Sequence, residues 1–305
     1  MQNHPTRRQA LKLGGAAAVA GALAASGAEG TKVPRVDAHL HCFAGIADRQ
    51  FPYHDQAPYR PEAAATPEHL LRCLADGGVD YAIVVHPEPY QDDHRYLEHC
   101  LQIGKGKVKG TLLLFADREG SLEKMPELCR KLDVVAVRVH AHSADRLPPF
   151  GQPSLRRLWS MASDHGLAVQ LHFVPRYASG FEPLIREFSQ TKVIIDHLGR
   201  PFQGTPEEHA VVLRWARYDN TIMKLSAFPD EGTAADRELP AVIRKLTDAW
   251  SADRTICGDK FGSDTTGESY RASFERVRSL LKHLSPADQD KILGGTAAKL
   301  FRFTV

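Results

Sequence analysis

The chain has 305 residues, 43% of them hydrophobic and 25% charged, with a formal net charge of +2. That length allows one large domain with a buried core, and the composition is ordinary for a soluble globular protein. So small a positive excess, with no basic run anywhere, argues against nucleic acid or an anionic membrane as partner.

The first segment does not belong to the domain. Thr6-Arg7-Arg8-Gln9-Ala10-Leu11-Lys12 precedes an Ala/Gly-rich, mildly apolar stretch over 13–28. A basic region, paired arginines and a short apolar run predict a twin-arginine-type signal over residues 1–30, cut after Ala28, and a periplasmic protein. A retained N-terminal anchor is the alternative, and the stretch is short and weakly hydrophobic for that role. The five cysteines, Cys42, Cys73, Cys100, Cys129 and Cys257, have no CxxC spacing and read as buried structural thiols.

From residue 31 onward one rhythm repeats: a short β-branched run, then a longer segment with helical periodicity. Strands are predicted over 33–41, 79–87, 108–117, 134–142, 167–173, 192–199, 221–228 and 254–259. Amphipathic helices are predicted over 67–76, 122–131, 153–165, 183–189, 206–218, 240–250, 270–284 and 286–300. Alternation of this kind means a parallel sheet covered by helices, and eight strands fit a closed α/β barrel of the (β/α)₈ TIM type, as a single domain over 31–305. No GxGxxG or Walker loop follows the first strand, which removes the common nucleotide-binding readings. The proline-bearing stretch 51–65 reads as a long loop on the catalytic face.

Reactive side chains collect at the predicted strand ends: His39 and His41, His86, Arg138 with His140 and His142, His172, Asp196 with His197, and Asp259. In a (β/α)₈ barrel these ends share one mouth. Residues two apart share a strand face, so His39 and His41 can aim at one centre, as metal ligation requires. Each residue alone has an ordinary structural explanation. Together they place unpaired polar groups where apolar ones would fill a barrel, at a few kcal/mol each, and a functional site accounts for that cost.

The chain resembles the amidohydrolase superfamily, in its amidohydrolase-2 branch that includes sugar-acid lactonases and 2-pyrone-4,6-dicarboxylate lactonase. The resemblance rests on Val36-Asp37-Ala38-His39-Leu40-His41, on Asp196-His197-Leu198-Gly199-Arg200-Pro201, on Lys224-Leu225-Ser226 and on the closing 292–301. It implies hydrolysis of a small carboxylated or sugar-derived lactone by an aspartate-activated water. Asp259, His172 and His197 would be catalytic, with Arg138, Arg200 and His86 on the substrate. One divalent ion, zinc or manganese, would sit on His39, His41, His172 and Asp259, although the lactonase branch does not always need it. The same branch contains decarboxylases and a hydratase, and a non-catalytic binding barrel is the reading from another class. The family ends strand eight with Gly-Ser-Asp, whereas here the text is Cys257-Gly258-Asp259-Lys260-Phe261-Gly262-Ser263-Asp264. An ungapped register nominates Lys260 and the later Gly-Ser-Asp nominates Asp264. Asp259 is chosen because it directly follows the β-pattern of Thr255-Ile256-Cys257.

Overall fold

A computed structural model describes residues 32–258 and 261–304 of the chain. The expected signal segment, Asp259 and Lys260 lie outside the described residues. Eight parallel strands run in the order β1 to β8: Val36–Leu40, Tyr81–Val85, Val108–Leu113, Val134–Ala141, Ala168–Phe173, Val193–Ile195, Thr221–Leu225 and Thr255–Cys257. This is the predicted (β/α)₈ barrel, with every predicted strand in place. The end of β8 returns to β1, where a Cβ on Gly258 would lie 2.6 Å from the backbone nitrogen of His39. Only glycine allows that approach.

Helices follow the strands on the outside: α1 Pro67–Gly77, α2 Arg95–Ile103, α3 Met125–Lys131, α4 Pro153–Asp164, α5 Glu182–Glu187, α6 Pro206–Arg214, α7 Ala234–Trp250 and α8 Gly267–Leu280. Two short helices, α9 Pro286–Asp290 and α10 Thr296–Leu300, close the chain. Three differ from expectation. Helix α2 was not predicted, although Tyr96, Leu97, Cys100 and Leu101 bury one face of it. Helix α7 starts six residues before Pro240, because Thr233 caps it by accepting from the Asp236 amide. The predicted helix over 286–300 is broken at Lys291–Gly295 by a non-helical Gly294.

The strands alternate in a way that builds the site. Ala136, Arg138 and His140 share one face of β4, Ala168, Gln170 and His172 one face of β5, and Ile222 and Lys224 one face of β7. Each of these faces is apolar where its strand begins and polar where it ends. Ala136, Ala168, Ile194, Ile222 and Ile256 therefore form a greasy layer beneath a polar one. Cys42, Cys73, Cys100 and Cys257 are buried and Cys129 is half-buried, as structural thiols should be.

Candidate active site

The centre of the polar layer is Asp196, fully buried at the end of β6. Its Oδ2 accepts from Arg138 Nε at 3.0 Å and Gln170 Nε2 at 2.9 Å, and Arg138 Nη2 is 2.9 Å away. Its Oδ1 lies 3.0 Å from Lys224 Nζ. Burial alone would raise the Asp196 pKa, but Lys224 and then Arg138 hold it well below the usual carboxylate range. Burial lowers that of Lys224, and the Asp196 charge opposes the shift.

This cluster fixes how the histidines present themselves. Lys224 Nζ lies 3.3 Å from His39 Nδ1, and an ammonium can only donate, so His39 carries its proton on Nε2. Asp196 Oδ1 is 3.6 Å from that nitrogen, too far for a hydrogen bond. His41 donates Nδ1–H to the Val85 carbonyl at 2.7 Å, which leaves Nε2 bare. His197 accepts at Nε2 from Arg138 Nη2, 3.3 Å away, and donates Nδ1–H to Ser226 Oγ at 2.9 Å. Arg200 Nη2 donates to His172 Nε2, so His172 donates Nδ1–H to His140 Nδ1 at 3.1 Å. His39 and His41 ring centroids are 5.1 Å apart, His39 and His197 4.6 Å, and His172 and His197 5.2 Å. Thus the four expected histidines do meet at one end of the barrel.

Backbone strain positions two of them. His197, Leu198, Gly199 and Arg200 all have positive φ, between 56° and 66°. Left-handed conformations cost a non-glycine residue about 1–2 kcal/mol each. Here the turn is closed by Arg200 N donating to His197 O at 2.8 Å, and by His209 Nε2 donating to Leu198 O at 3.0 Å. The result sends the His197 and Arg200 side chains into one cleft. That cleft has a volume of about 630 Å³ and is also lined by His39, His41, Arg138, His172 and Tyr59. Phe43 and Ala65 pair across the base of the intervening loop, which brings Tyr59 over the mouth as the proline-rich stretch suggested.

Other expected residues lie elsewhere. His86 is buried, bonded through Nε2 to the Gln91 carbonyl at 2.9 Å and stacked on His94, and it does not line the cleft. Asp264 is exposed on a turn, so the later Gly-Ser-Asp does not point at the histidines. Sequence reasoning gave no role to Asp196, Lys224 or Gln170. The available signal was strand parity: Lys224 is two residues beyond Ile222, and Gln170 two before His172.

Among the described residues two groups have the spacing of metal ligands, His39–Asp196–His197 and His140–His142–His172, each with its donor atoms within 4.8 Å of one another. Neither is the expected set of His39, His41, His172 and Asp259. The first does not fit a dication, because Lys224 and Arg138 already occupy Asp196, His39 Nδ1 and His197 Nε2 with positive charge. Of the described histidines expected to bind metal, His41 alone offers a bare nitrogen.

Burial lowers the His41 pKa from 6.5 to about 4, with Arg138 the next cause, and holds His39, His172 and His197 well below 6.5. Between these limits the unfolded chain binds protons that the folded one excludes. Stability is therefore full above pH 6.5 and falls as the pH drops toward 4. For His41 the loss is at most about 3 kcal/mol, reduced because its ring is partly open to water in the cleft. Thermal melts from pH 7 to 4.5 are expected to fall steadily, with a shallower slope in His41→Gln. A flat profile would contradict the buried neutral histidines.

The amidohydrolase family model matches residues 36–303. The chain belongs to the amidohydrolase family. It is 24% identical over 286 residues to the L-fucono-1,5-lactonase of Burkholderia ambifaria, covering 88% of this chain and 95% of that one. Solved structures of other proteins share the fold. One, from Acinetobacter baumannii, is assigned as a 2-pyrone-4,6-dicarboxylic acid hydrolase with citric acid bound (TM-score 0.74, 19% identity, 88% of this chain and 99% of the other). The second, from Pseudomonas putida, carries the same assignment (TM-score 0.73, 23% identity, 90% and 99%).

Proposed function

We propose that this amidohydrolase opens the ring of a small lactone carrying a carboxylate or sugar hydroxyls. The observation that carries the reading is the unequal state of two arginines in one cleft. Arg138 is neutralised by Asp196. The Arg200 side chain, among the described residues, has no carboxylate within ion-pair distance, donates a hydrogen bond to His172, and keeps its Nε buried and unbonded. Burial lowers its pKa, with Arg138 adding to the effect. A half-buried guanidinium in that condition is completed by an anionic ligand, and its fork suits a carboxylate. The lactonase and pyrone-dicarboxylic acid hydrolase relatives support a cyclic ester as the bond attacked.

The chemistry then follows from the proton positions. Asp259 takes a proton from water, and the water oxygen bonds to the lactone carbonyl carbon. His39, which carries hydrogen on Nε2, donates to the developing oxyanion. The ring C–O bond breaks and the departing oxygen takes the proton from Asp259. The His39–Asp196–His197 group takes no part in these steps as a metal site, because Lys224 and Arg138 already occupy its donor atoms.

Losing a charge-assisted hydrogen bond costs about 1.5–3 kcal/mol. Arg200→Met is accordingly expected to raise KM for a carboxylated lactone by on the order of 10- to 150-fold, with kcat nearly unchanged. An uncharged lactone should be little affected. Equal losses on both substrates would overturn the assignment of Arg200.

Export is proposed on residues 1–28. Arg7→Lys with Arg8→Lys is expected to retain the chain in the cytoplasm on cell fractionation. An exported double variant would remove the twin-arginine reading.

A further inference from the structure

The His140–His142–His172 group differs from the Asp196 group in what surrounds it. His140 and His172 face each other in register across β4 and β5, and His142 follows two residues after His140. The three ring centroids stand 4.9 to 5.5 Å apart. His140 Nδ1 is 3.1 Å from His172 Nδ1, and Glu88 Oε2 lies 3.7 Å from His140 Nδ1 and 3.9 Å from His142 Nε2. Donor atoms held at ~2.0–2.1 Å around a tetrahedral zinc ion are ~3.3 Å from one another, so these atoms already stand near that spacing. Hydrogen bonding within the fold does not account for the cluster. His140 Nε2 and His142 Nδ1 are buried without a partner, and the His140 side chain is only 8% exposed. Polar groups left so are costly, and an ion among them is one explanation of their being kept.

We propose that His140, His142 and His172 form a zinc site at the ends of β4 and β5, with Glu88 balancing its charge and a fourth position open to water or substrate. Imidazole donors suit a borderline dication such as zinc, and not the oxygen-seeking magnesium or calcium. The site shares only His172 with the set of His39, His41, His172 and Asp259 that the family resemblance implies. Its flanking cations can give way, which those at Asp196 cannot. Lys224 and Arg138 are buried in the barrel. Arg146, by contrast, is 40% exposed on the short turn Ala144–Arg146, bonded to His142 Nε2 at 3.3 Å and to Glu88 at 3.2 Å. The ion replaces it as the partner of Glu88. Arg200 bonds the group at His172 Nε2, the nitrogen away from His140. When His172 gives Nδ1 to the ion its proton sits on Nε2, so Arg200 loses that acceptor and is free for an anionic ligand. The inference does not depend on which bond the enzyme breaks.

Zinc chloride titrated calorimetrically into the chelator-treated full chain tests the site. The expected result is one ion per chain, with no binding of magnesium chloride. Loss of a mere partner of a ligand histidine costs about 10- to 100-fold in metal affinity, so His142→Ala, which removes a ligand, should weaken zinc by on the order of 10² or more. His41→Ala should leave zinc affinity near that of the parent. His142 is half-buried, and a zinc-free melting temperature close to the parent's reports that the variant is folded. His142→Gln gives the same reading with a polar side chain in place. Zinc should raise the melting temperature of the parent and leave both His142 variants where they were. The parent alone supplies an independent reading, because cobalt(II) held by these histidines should show the intense visible bands of a low-coordinate ion. A chain that takes up no zinc, an affinity untouched in the His142 variants, zinc lost in His41→Ala, or a pale octahedral cobalt spectrum would each overturn the site.

Discussion

Asp196→Asn is expected to destabilise the protein by about 3–5 kcal/mol, the cost of removing one partner from a buried ion cluster. Lys224 Nζ and Arg138 both converge on this one carboxylate, and both side chains are buried with it. Asparagine keeps the shape and loses the charge, so two cations are left facing each other in a region closed to water. For a domain of this size the melting temperature should fall by on the order of 10 °C. Pairing Asp196→Asn with Lys224→Met tests the cause, because removing one stranded cation should recover part of the loss. A melting point within about 2 °C of the parent in Asp196→Asn would show that the cluster is not the electrostatic centre of the barrel. The same single variant should also weaken His39 as a donor, since the Lys224 contact that sets its tautomer depends on Asp196.

The fold was legible because a parallel barrel writes its strands as short β-branched runs between helical stretches, and each of those runs is a strand. The boundaries were less legible. Helix α2 follows a stretch rich in Pro, Gln and Asp (87–93), where turn chemistry hides the start, and the break at Gly294 depends on contact with residues 34–36 that are distant in sequence. Within the site, His39, His41, His172, His197 and the two arginines could be found because strand ends share one mouth. Lys224 and Gln170 could not be read as easily. A lysine in Thr221-Ile222-Met223-Lys224-Leu225 looks like the solvent side of a strand, and only closure of the barrel makes that face interior. His86 shows the reverse. It also falls at a strand end, yet the turn after β2 brings the Gln91 carbonyl to its ring and His94 against its face. A strand-end position thus brings a residue near the site, and local packing decides which residues use it.

Ring opening as proposed depends on the water-activating carboxylate. Gly258 lies against His39, so the chain leaves β8 beside the histidine proposed to receive the oxyanion. Asp259 follows it directly, whereas Asp264 is exposed. Asparagine at 259 cannot accept a proton but has nearly the same shape, so binding should survive while proton abstraction is lost. General-base catalysis is worth on the order of 10²–10⁴ in rate. The direct measurement is kcat for ring opening of a carboxylated lactone by the parent enzyme, Asp259→Asn and Asp264→Asn, with released carbon dioxide followed in parallel. The expected result is ring opening without carbon dioxide, kcat lowered by 10²–10⁴ in Asp259→Asn at similar KM, and near-parent kcat in Asp264→Asn. Near-parent kcat in Asp259→Asn, or carbon dioxide as the product, would contradict it.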